Sequence, residues 1–154
     1  ELRPLTEDGS ERLRVGMRGL HRLVESIDVL ATSPLVRTRQ TAEIVGAEFG
    51  IREIAELDEL RPGSRASLFV EWMQDVGSKE TIAIVGHEMQ LLKLIGLMMM
   101  GTAVAVATLK KGGALMLDVR ERGRSHAGLR RGTLVWSLTP RQLRMLGGEA
   151  NGDS

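Results

Sequence analysis

The 154-residue sequence contains no cysteine and no tyrosine, and only two phenylalanines and two tryptophans. Without cysteine the chain forms no disulfide, no thiolate metal site and no thiol nucleophile, and it is compatible with the cytoplasmic location that we expect. So few aromatic rings offer no platform for stacking bases, and a net charge of +1 gives no general attraction to nucleic acid. The longest apolar run, LIGLMMM, is too short to span a bilayer. We therefore expect neither a nucleic-acid nor a membrane partner.

The motifs of several common enzyme classes are also absent. The three histidines are not at metal-ligand spacing, no glycine-rich nucleotide loop occurs, and no G-x-S-x-G nucleophile turn is found. The sequence therefore predicts no metal and no cofactor. Hydrophobic residues make up 42% of the chain and charged residues 27%, as in ordinary globular proteins. The length suits one domain, which we place at residues 1–146 as a monomer, with GGEANGDS at 147–154 as a flexible tail.

Uncharged strand-like segments alternate with helical patterns along most of the chain. The strand-like segments are IDVLAT, EIAEL and TIAIV, followed later by GALMLDV and GTLVWSL. This alternation predicts an α/β layered fold with a mostly parallel sheet, in which the last strands are the candidates for antiparallel pairing. Thr6 followed by two acids predicts a first helix, and a helix over residues 65–76 is predicted to bury Leu68, Trp72 and Val76.

The stretch SPLVRTRQTA, residues 33–42, places two arginines directly after a buried-looking strand. Ser33 is a good N-cap and Pro34 suits the first turn of a helix, so Arg37 and Arg39 are predicted to lie at a strand-to-helix corner. The positive end of a helix dipole makes such a corner an anion site. Two solvated surface arginines are the alternative interpretation.

His87 follows the strand TIAIV, at the carboxyl end where open α/β sheets gather their ligands. Arg37 is predicted at the end of another strand, so the two side chains are candidates for one crevice. A phosphate between them would receive charge-assisted hydrogen bonds, each contributing about 1.5–3 kcal/mol. His21 on the first helix is expected to be a surface or boundary residue, and His126 in the basic loop is expected to be solvated.

Acids and further basic residues give weaker signals. Asp58 and Glu59 follow the EIAEL strand, where a partly desolvated carboxyl would serve as a general acid, but a plain surface loop fits equally well. The stretch RERGRSHAGLRR, residues 120–131, carries much of the positive charge of the last third of the chain. It is a solvated hairpin loop or a docking patch for an acidic partner.

In combination these blocks resemble the histidine phosphatase superfamily, which includes phosphoglycerate mutases, and more narrowly its small SixA-type phosphohistidine phosphatases. The matching stretches, in the family's order, are RPLTEDG, SPLVRTRQTAE, LDEL, IAIVGHEMQ and KKGGALML. The resemblance implies a three-layer sandwich with helices on both faces of a mostly parallel central sheet. It implies a pocket in which one histidine is transiently phosphorylated while two arginines and a second histidine hold the phosphoryl oxygens.

Carried onto this chain, the resemblance assigns the phosphate clamp to Arg37 and the second histidine to His87, and Ser33 is expected to bind the phosphate with them. Glu59 falls where many relatives keep a proton donor, although small members of this branch manage without one. Arg39 is expected to face solvent. The implied substrate is a phosphohistidine-bearing signalling protein or a small phosphomonoester, and the implied reaction is a metal-independent hydrolysis.

One departure from the family concerns the nucleophile itself. The family's opening strand ends in Arg-His-Gly and precedes RPLT, but no Arg-His-Gly occurs in this sequence, and GHEM replaces the more usual Gly-His-x-Pro. Either the strand belongs to a segment upstream of Glu1, or the protein is a non-catalytic relative that binds phosphate or a partner. We favour the upstream segment, because removing a central strand would expose two sheet edges.

Overall fold

A computed structural model describes residues 3–76, 81–120 and 131–149 of the chain. The helices are α1 (Glu7–Leu23), α2 (Val36–Phe49), α3 (Ala66–Val76), α4 (Glu88–Met100) and α5 (Pro140–Leu146). The strands are β1 (Val29–Thr32), β2 (Ile54–Glu56), β3 (Ile82–Val85), β4 (Ala114–Arg120) and β5 (Arg131–Leu138), and a 3-10 turn occupies Asp58–Leu60. The alternation of elements is the one that the sequence predicts.

The strands form two sheets. Strands β2, β1 and β3 pair in that order and all in parallel, while β4 and β5 form an antiparallel pair. Parallel neighbours need crossover connections, and here α2 connects β1 to β2, and α3 connects β2 to β3. The predicted α/β fold with parallel strands, and with an antiparallel pair at the end of the chain, is confirmed.

Helices cover both faces of the strands, which gives three layers. Successive residues of a strand point to opposite faces, so Leu30 and Ala31 of β1 enter different cores. Leu30 joins a cluster with residues of α1, α2 and α5, and Ala31 joins a second cluster with residues of α3 and α4. The first cluster contains Met17, Val24, Ile27, Leu30, Val45 and Leu143. The second contains Ala31, Leu57, Leu60, Phe69, Val70, Leu94 and Met98.

Strands β3 and β4 share both cores but form no strand pairing with each other. Ile84 packs in the same cluster as Leu117, and Ala83 packs in the same cluster as Met116. The two strands thus lie in one layer, yet every residue of β3 is only half-buried, and so are the apolar residues of β4. Strands inside a parallel sheet are normally covered on both faces and paired on both edges. The sheet is therefore interrupted between β3 and β4.

The helix α1 begins as its sequence predicts. The Thr6 side chain accepts a hydrogen bond from the Gly9 amide at 3.0 Å, and the acids Glu7 and Asp8 lie in the first turn. Helix α3 also forms where it is predicted, and Trp72 packs against the core, but the predicted burial of Leu68 is wrong. Phe69 is 1% exposed and packs against the half-buried Trp72, whereas Leu68 is 43% exposed. The larger aromatic ring takes the core position because it removes more apolar area from water.

Close packing of α1 against α5 joins the two ends of the described chain. A Cβ built on Gly19 would overlap the Leu143 carbonyl oxygen, so only glycine permits this approach. Beyond α5, Glu149 forms an ion pair with Arg144, with Nε and Oε2 2.6 Å apart. Residues 147–149 are thus held against α5, where the sequence predicts the start of a flexible tail. Residues 150–154 lie outside the described part.

Two of the weaker sequence interpretations concern residues away from the strand ends. His21 is half-buried at the surface of α1, with its Nδ1 3.1 Å from Glu48 Oε1 and its ring against Phe49, as a boundary residue would be. The basic loop, which contains His126, lies almost wholly outside the described residues.

Within the described ranges, no helix combines the length and the apolar character needed to cross a bilayer.

Candidate active site

Three parallel strands end at the same level, and the predicted site residues follow these ends. Thr32, the last residue of β1, is paired with Glu56 of β2 and with Val85 of β3. The Leu57 amide donates to the Thr32 carbonyl at 2.9 Å, and the Ser33 amide donates to the Val85 carbonyl at 3.1 Å. The segments after these three strands are therefore neighbours at one edge of the sheet, where α/β proteins bind their ligands.

Ser33 forms the corner after β1 and is completely buried. Its carbonyl accepts hydrogen bonds from the hydroxyls of Thr32 and Thr38, both at 3.0 Å. Its own hydroxyl lies 3.3 Å from His87 Nε2 and accepts a long bond, 3.4 Å, from the Leu35 amide. The Ser-Pro corner thus holds the end of β1 against the residues that follow β3.

The predicted capping role of Ser33 is wrong. Helix α2 begins at Val36 with Leu35 as its N-cap, and no side chain caps it. Pro34 therefore precedes the helix by two residues and does not occupy its first turn. The physical reason is the contact with His87, because a hydroxyl directed at that ring is not placed to cap the first amides of α2.

Arg37 lies in the first turn of α2, directly after this corner. Its side chain is half-buried, and its Nε is buried with no hydrogen-bond partner among the described residues. A buried polar group without a partner costs about 1–3 kcal/mol, and more when it is charged. An anion at the corner would supply the missing acceptor, so this unpaired donor is the strongest sign of a phosphate site in the described structure.

Arg39 behaves differently although it is only two residues away. Its Nε forms an ion pair with Glu56 Oε1 at 2.7 Å, and the two side chains are 49% and 47% exposed. Residues two positions apart on a helix point to different sides. The half-exposed side chain of Arg39 agrees with the expectation that Arg39 faces solvent, and the role of Arg37 as phosphate clamp stays a prediction.

His87 follows β3 and is the N-cap residue of α4, with extended backbone angles. The ring is half-buried, and its Nε2 faces the Ser33 hydroxyl. One helical turn later, the buried Gln90 donates from Nε2 to the Ser64 carbonyl at 2.6 Å. This bond fixes α4 to the loop that follows the 3-10 turn and so determines where the His87 corner lies.

Gln90 is the site-supporting residue that reasoning from the sequence missed. It stands in the stretch IAIVGHEMQ, but a single glutamine before an apolar helix gives no indication of its partner. The available signal was its helical spacing from Leu94, which places a polar side chain on a core-facing stripe.

Glu59 lies in the 3-10 turn Asp58–Leu60, just beyond β2, and is half-buried. The turn follows the bond from the Leu57 amide to Thr32, so Glu59 is at the same edge of the sheet as Ser33. Its neighbour Asp58 is exposed and forms an ion pair with Arg61 at 2.7 Å. Of the two acids, Glu59 is the one not engaged by a neighbouring arginine of the described chain, and its role as proton donor stays a prediction.

The Arg37 guanidinium, the His87 imidazole and the buried Ser33 hydroxyl belong to segments that follow neighbouring strands at the carboxyl edge of a parallel sheet. Such a set binds a phosphoryl group and stabilises the charge that develops on its oxygens. The block that carries Ser33 and Arg37 also lies within the match to a known family. The model of the histidine phosphatase superfamily (branch 1) matches residues 3–64, from the segment before α1 to the loop before α3. The chain belongs to this superfamily.

Individual proteins are also similar to this chain. An uncharacterized protein of Picosynechococcus sp. is 30% identical over 118 residues, which span 75% of this chain and 71% of that protein. The structure of the protein histidine phosphatase SixA complexed with tungstate is similar with a TM-score of 0.74, at 23% identity over 92% of this chain and 87% of that one.

Two further solved structures show the same fold. The putative phosphohistidine phosphatase SixA from Agrobacterium tumefaciens has a TM-score of 0.68 at 19% identity, covering 89% of this chain and 83% of its own. The alpha-ribazole phosphatase from Shigella flexneri has a TM-score of 0.68 at 17% identity, covering 89% of this chain and 85% of its own. The three-layer fold is therefore that of the histidine phosphatases.

Proposed function

We propose that this protein is a phosphatase that works through a covalent phosphohistidine intermediate, with Arg37 and His87 holding the phosphoryl oxygens. In the first step a histidine nitrogen attacks phosphorus, the bond from phosphorus to the leaving group breaks, and the leaving group takes up a proton. In the second step water attacks the phosphohistidine, which releases inorganic phosphate and restores the histidine. The observation that carries the proposal is the buried Arg37 Nε, unpaired within the described residues, in the helical turn that follows the Ser33–His87 contact.

The attacking histidine is proposed to lie on a strand between β3 and β4, contributed by a segment upstream of residue 1. The interruption of the sheet supports this placement, because both strands are half-buried and share two cores without pairing. A strand in this position would pair with both edges and would end beside Ser33 and His87. Sheet edges left open in this way favour pairing with another strand.

We propose a phosphohistidine on a protein as the preferred substrate. Its leaving group is an imidazole with a pKa near ~6.5, which needs less protonation than an alkoxide. The proposed proton donor Glu59 would then contribute little to this substrate and more to an alkyl phosphate. A small-metabolite phosphatase of the same fold is the second candidate, supported by the similarity to the alpha-ribazole phosphatase, and for that candidate Glu59 would be required.

The test uses the full-length natural protein, beginning with its intact mass and N-terminal sequence. An added strand that ends in Arg-His-Gly is expected, together with metal-independent hydrolysis of an aryl phosphate. Arg37→Ala and His87→Ala should each lower the rate about 10²–10³-fold, since each removes one preorganised donor.

Arg39→Ala is the matched control, because it removes the same charge two residues away and should leave the rate within about twofold of the wild type. Retention of most activity by Arg37→Ala or His87→Ala would refute the assigned roles. A full-length protein without a nucleophile that binds phosphate but never turns it over would identify a non-catalytic phosphate-binding relative.

A further inference from the structure

A cleft lies between helices α3 and α4, beyond the corner that holds Arg37 and His87. Its volume is about 450 Å³, within the range of small-molecule and peptide-binding sites. The lining residues come from the loop before α3, from the two helices and from the segment after α4. They are Gly63, Ser64, Arg65, Ala66, Ser67, Lys93, Leu97 and Ala103. We refer to this feature as the α3–α4 cleft.

The charged side chains that line the cleft are both positive. Arg65 and Lys93 are exposed, and neither forms an ion pair or a side-chain hydrogen bond with another described residue. Of the two serines that line the cleft, Ser67 adds a hydroxyl, whereas the Ser64 hydroxyl already donates to the Asp58 carbonyl at 3.0 Å. The exposed acids on the same two helices are not among the lining residues; they are Glu71, Asp75 and Glu88. The cleft is therefore complementary to a negatively charged group.

The cleft is joined to the proposed active site by a partly buried hydrogen bond. Gln90 Nε2 donates to the carbonyl of Ser64, a lining residue, and Gln90 lies one helical turn after His87. Lys93 lies one further turn along α4, so the six residues from His87 to Lys93 span about 9 Å. A group bound in the cleft would thus belong to a part of the substrate well beyond the phosphoryl group.

Three exposed apolar side chains lie on the elements that line the cleft or on the segment after α4. Leu68 is 43% exposed, Met89 61% and Val104 50%. Leu68 and Val104 are chain neighbours of the lining residues Ser67 and Ala103, and Met89 directly precedes Gln90. Large apolar side chains exposed around a charged groove are typical of surfaces that bind other proteins. A small phosphomonoester would not reach both the corner and these side chains, whereas a protein surface would.

We propose that the α3–α4 cleft docks an acidic segment of the phosphorylated protein substrate, with Arg65 and Lys93 as the specificity-determining residues. The choice of substrate rests on the proposed function, while the docking itself does not require turnover. Arg65 and Lys93 bind carboxylates of the partner, and Leu68, Met89 and Val104 contact its apolar side chains. The affinity of the complex then depends on the acidity of the segment beside the phosphohistidine.

The test measures binding of two fluorescent peptides to the full-length protein by anisotropy at low salt. Both peptides carry a stable phosphonate analogue of phosphohistidine, flanked by aspartates in one and by asparagines in the other. We expect the wild type to prefer the acidic peptide, and Arg65→Gln or Lys93→Gln to weaken its binding about two- to fivefold each, as for exposed ion pairs. The charge reversal Lys93→Glu should weaken it further, and salt should reduce the preference.

Arg52→Gln is the matched control, because Arg52 is an exposed arginine in the loop before β2, away from the cleft. It should leave both affinities unchanged, and none of the cleft variants should alter hydrolysis of an aryl phosphate. Equal binding of the two peptides by the wild type, or an equal effect of Arg52→Gln, would overturn the proposal. Preference for the acidic peptide without any aryl phosphate turnover would support the docking surface and refute the phosphatase.

Discussion

Replacing Arg37 by methionine should separate the cost of its unpaired Nε from its contribution to phosphate binding. Methionine keeps most of the apolar stem of arginine but removes the buried Nε that has no partner among the described residues. Relief of an unsatisfied buried donor is worth about 1–3 kcal/mol. In the absence of phosphate, the free energy of unfolding of Arg37→Met should therefore equal or exceed that of the wild type.

Phosphate should reverse the order of stability. A ligand that binds only the folded state stabilises it by about 2.7 kcal/mol at a concentration about 100 times its Kd. For a protein of this size each kcal/mol raises the Tm by about 2–4 °C. The wild type should therefore gain several degrees in Tm with saturating inorganic phosphate, while Arg37→Met should gain less than half of that increase.

The assay is thermal unfolding of the full-length protein followed by circular dichroism, with and without phosphate. Arg39→Met serves as the control, since Arg39 forms a half-exposed ion pair with Glu56 that contributes about 1 kcal/mol or less. It should lower the Tm slightly and keep the full phosphate shift. Two results would contradict the assigned role of Arg37. One is a phosphate-free Arg37→Met protein that is more than about 1 kcal/mol less stable than the wild type, and the other is an undiminished phosphate shift.

Two further predictions concern glycine packing and the Ser33 hydroxyl. Gly19→Ala should destabilise the protein by about 1–3 kcal/mol or more in urea unfolding, because its Cβ would overlap the Leu143 carbonyl oxygen. Gly16→Ala, on the same helix, is the control, because its Cβ would lie 3.7 Å from Leu143 Cβ. It should leave the stability unchanged or raise it by up to about 1 kcal/mol. Equal losses of stability in the two variants would contradict the close contact between α1 and α5. Ser33→Ala removes the hydroxyl that lies 3.3 Å from His87 Nε2 and should lower kcat for an aryl phosphate about tenfold with little change in KM. An unchanged kcat would show that Ser33 does not orient the His87 ring.

Several helices and strands could be predicted from the sequence because helix capping and residue type act locally along the chain. Thr6 followed by Glu7 and Asp8 predicts the start of α1, because capping and dipole effects act within one helical turn. The uncharged run TIAIV predicts β3, and the cap at Gly101 ends α4 where the sequence shows glycine after an apolar helix. These features depend on neighbours in the chain, so the chain itself carries the information.

The placement of the segments that carry Arg37 and His87 at one edge of the sheet was also predictable, but for a topological reason. Both follow uncharged strands, and parallel strands end at the same edge of a sheet. The motif Ser-Pro-x-x-Arg, followed later by a strand that ends in Gly-His, then indicated the superfamily. The model of this superfamily matches residues 3–64. The substrate and the role of Glu59 depend on partners that this reasoning does not supply.

The order of strands and helices, and the identity of the residues at the strand ends, followed from short-range spacing in the amino-acid sequence. Only the tertiary structure shows that Ser33 faces His87 and leaves α2 without a side-chain cap. It also shows that Phe69, and not Leu68, enters the core. The hydrogen bond from Gln90 to Ser64 is a third feature of this kind. The interruption between β3 and β4 likewise emerges only in three dimensions, since edge pairing joins residues distant in the chain. Each of these outcomes depends on which surfaces meet after folding, and a linear pattern does not encode that geometry locally.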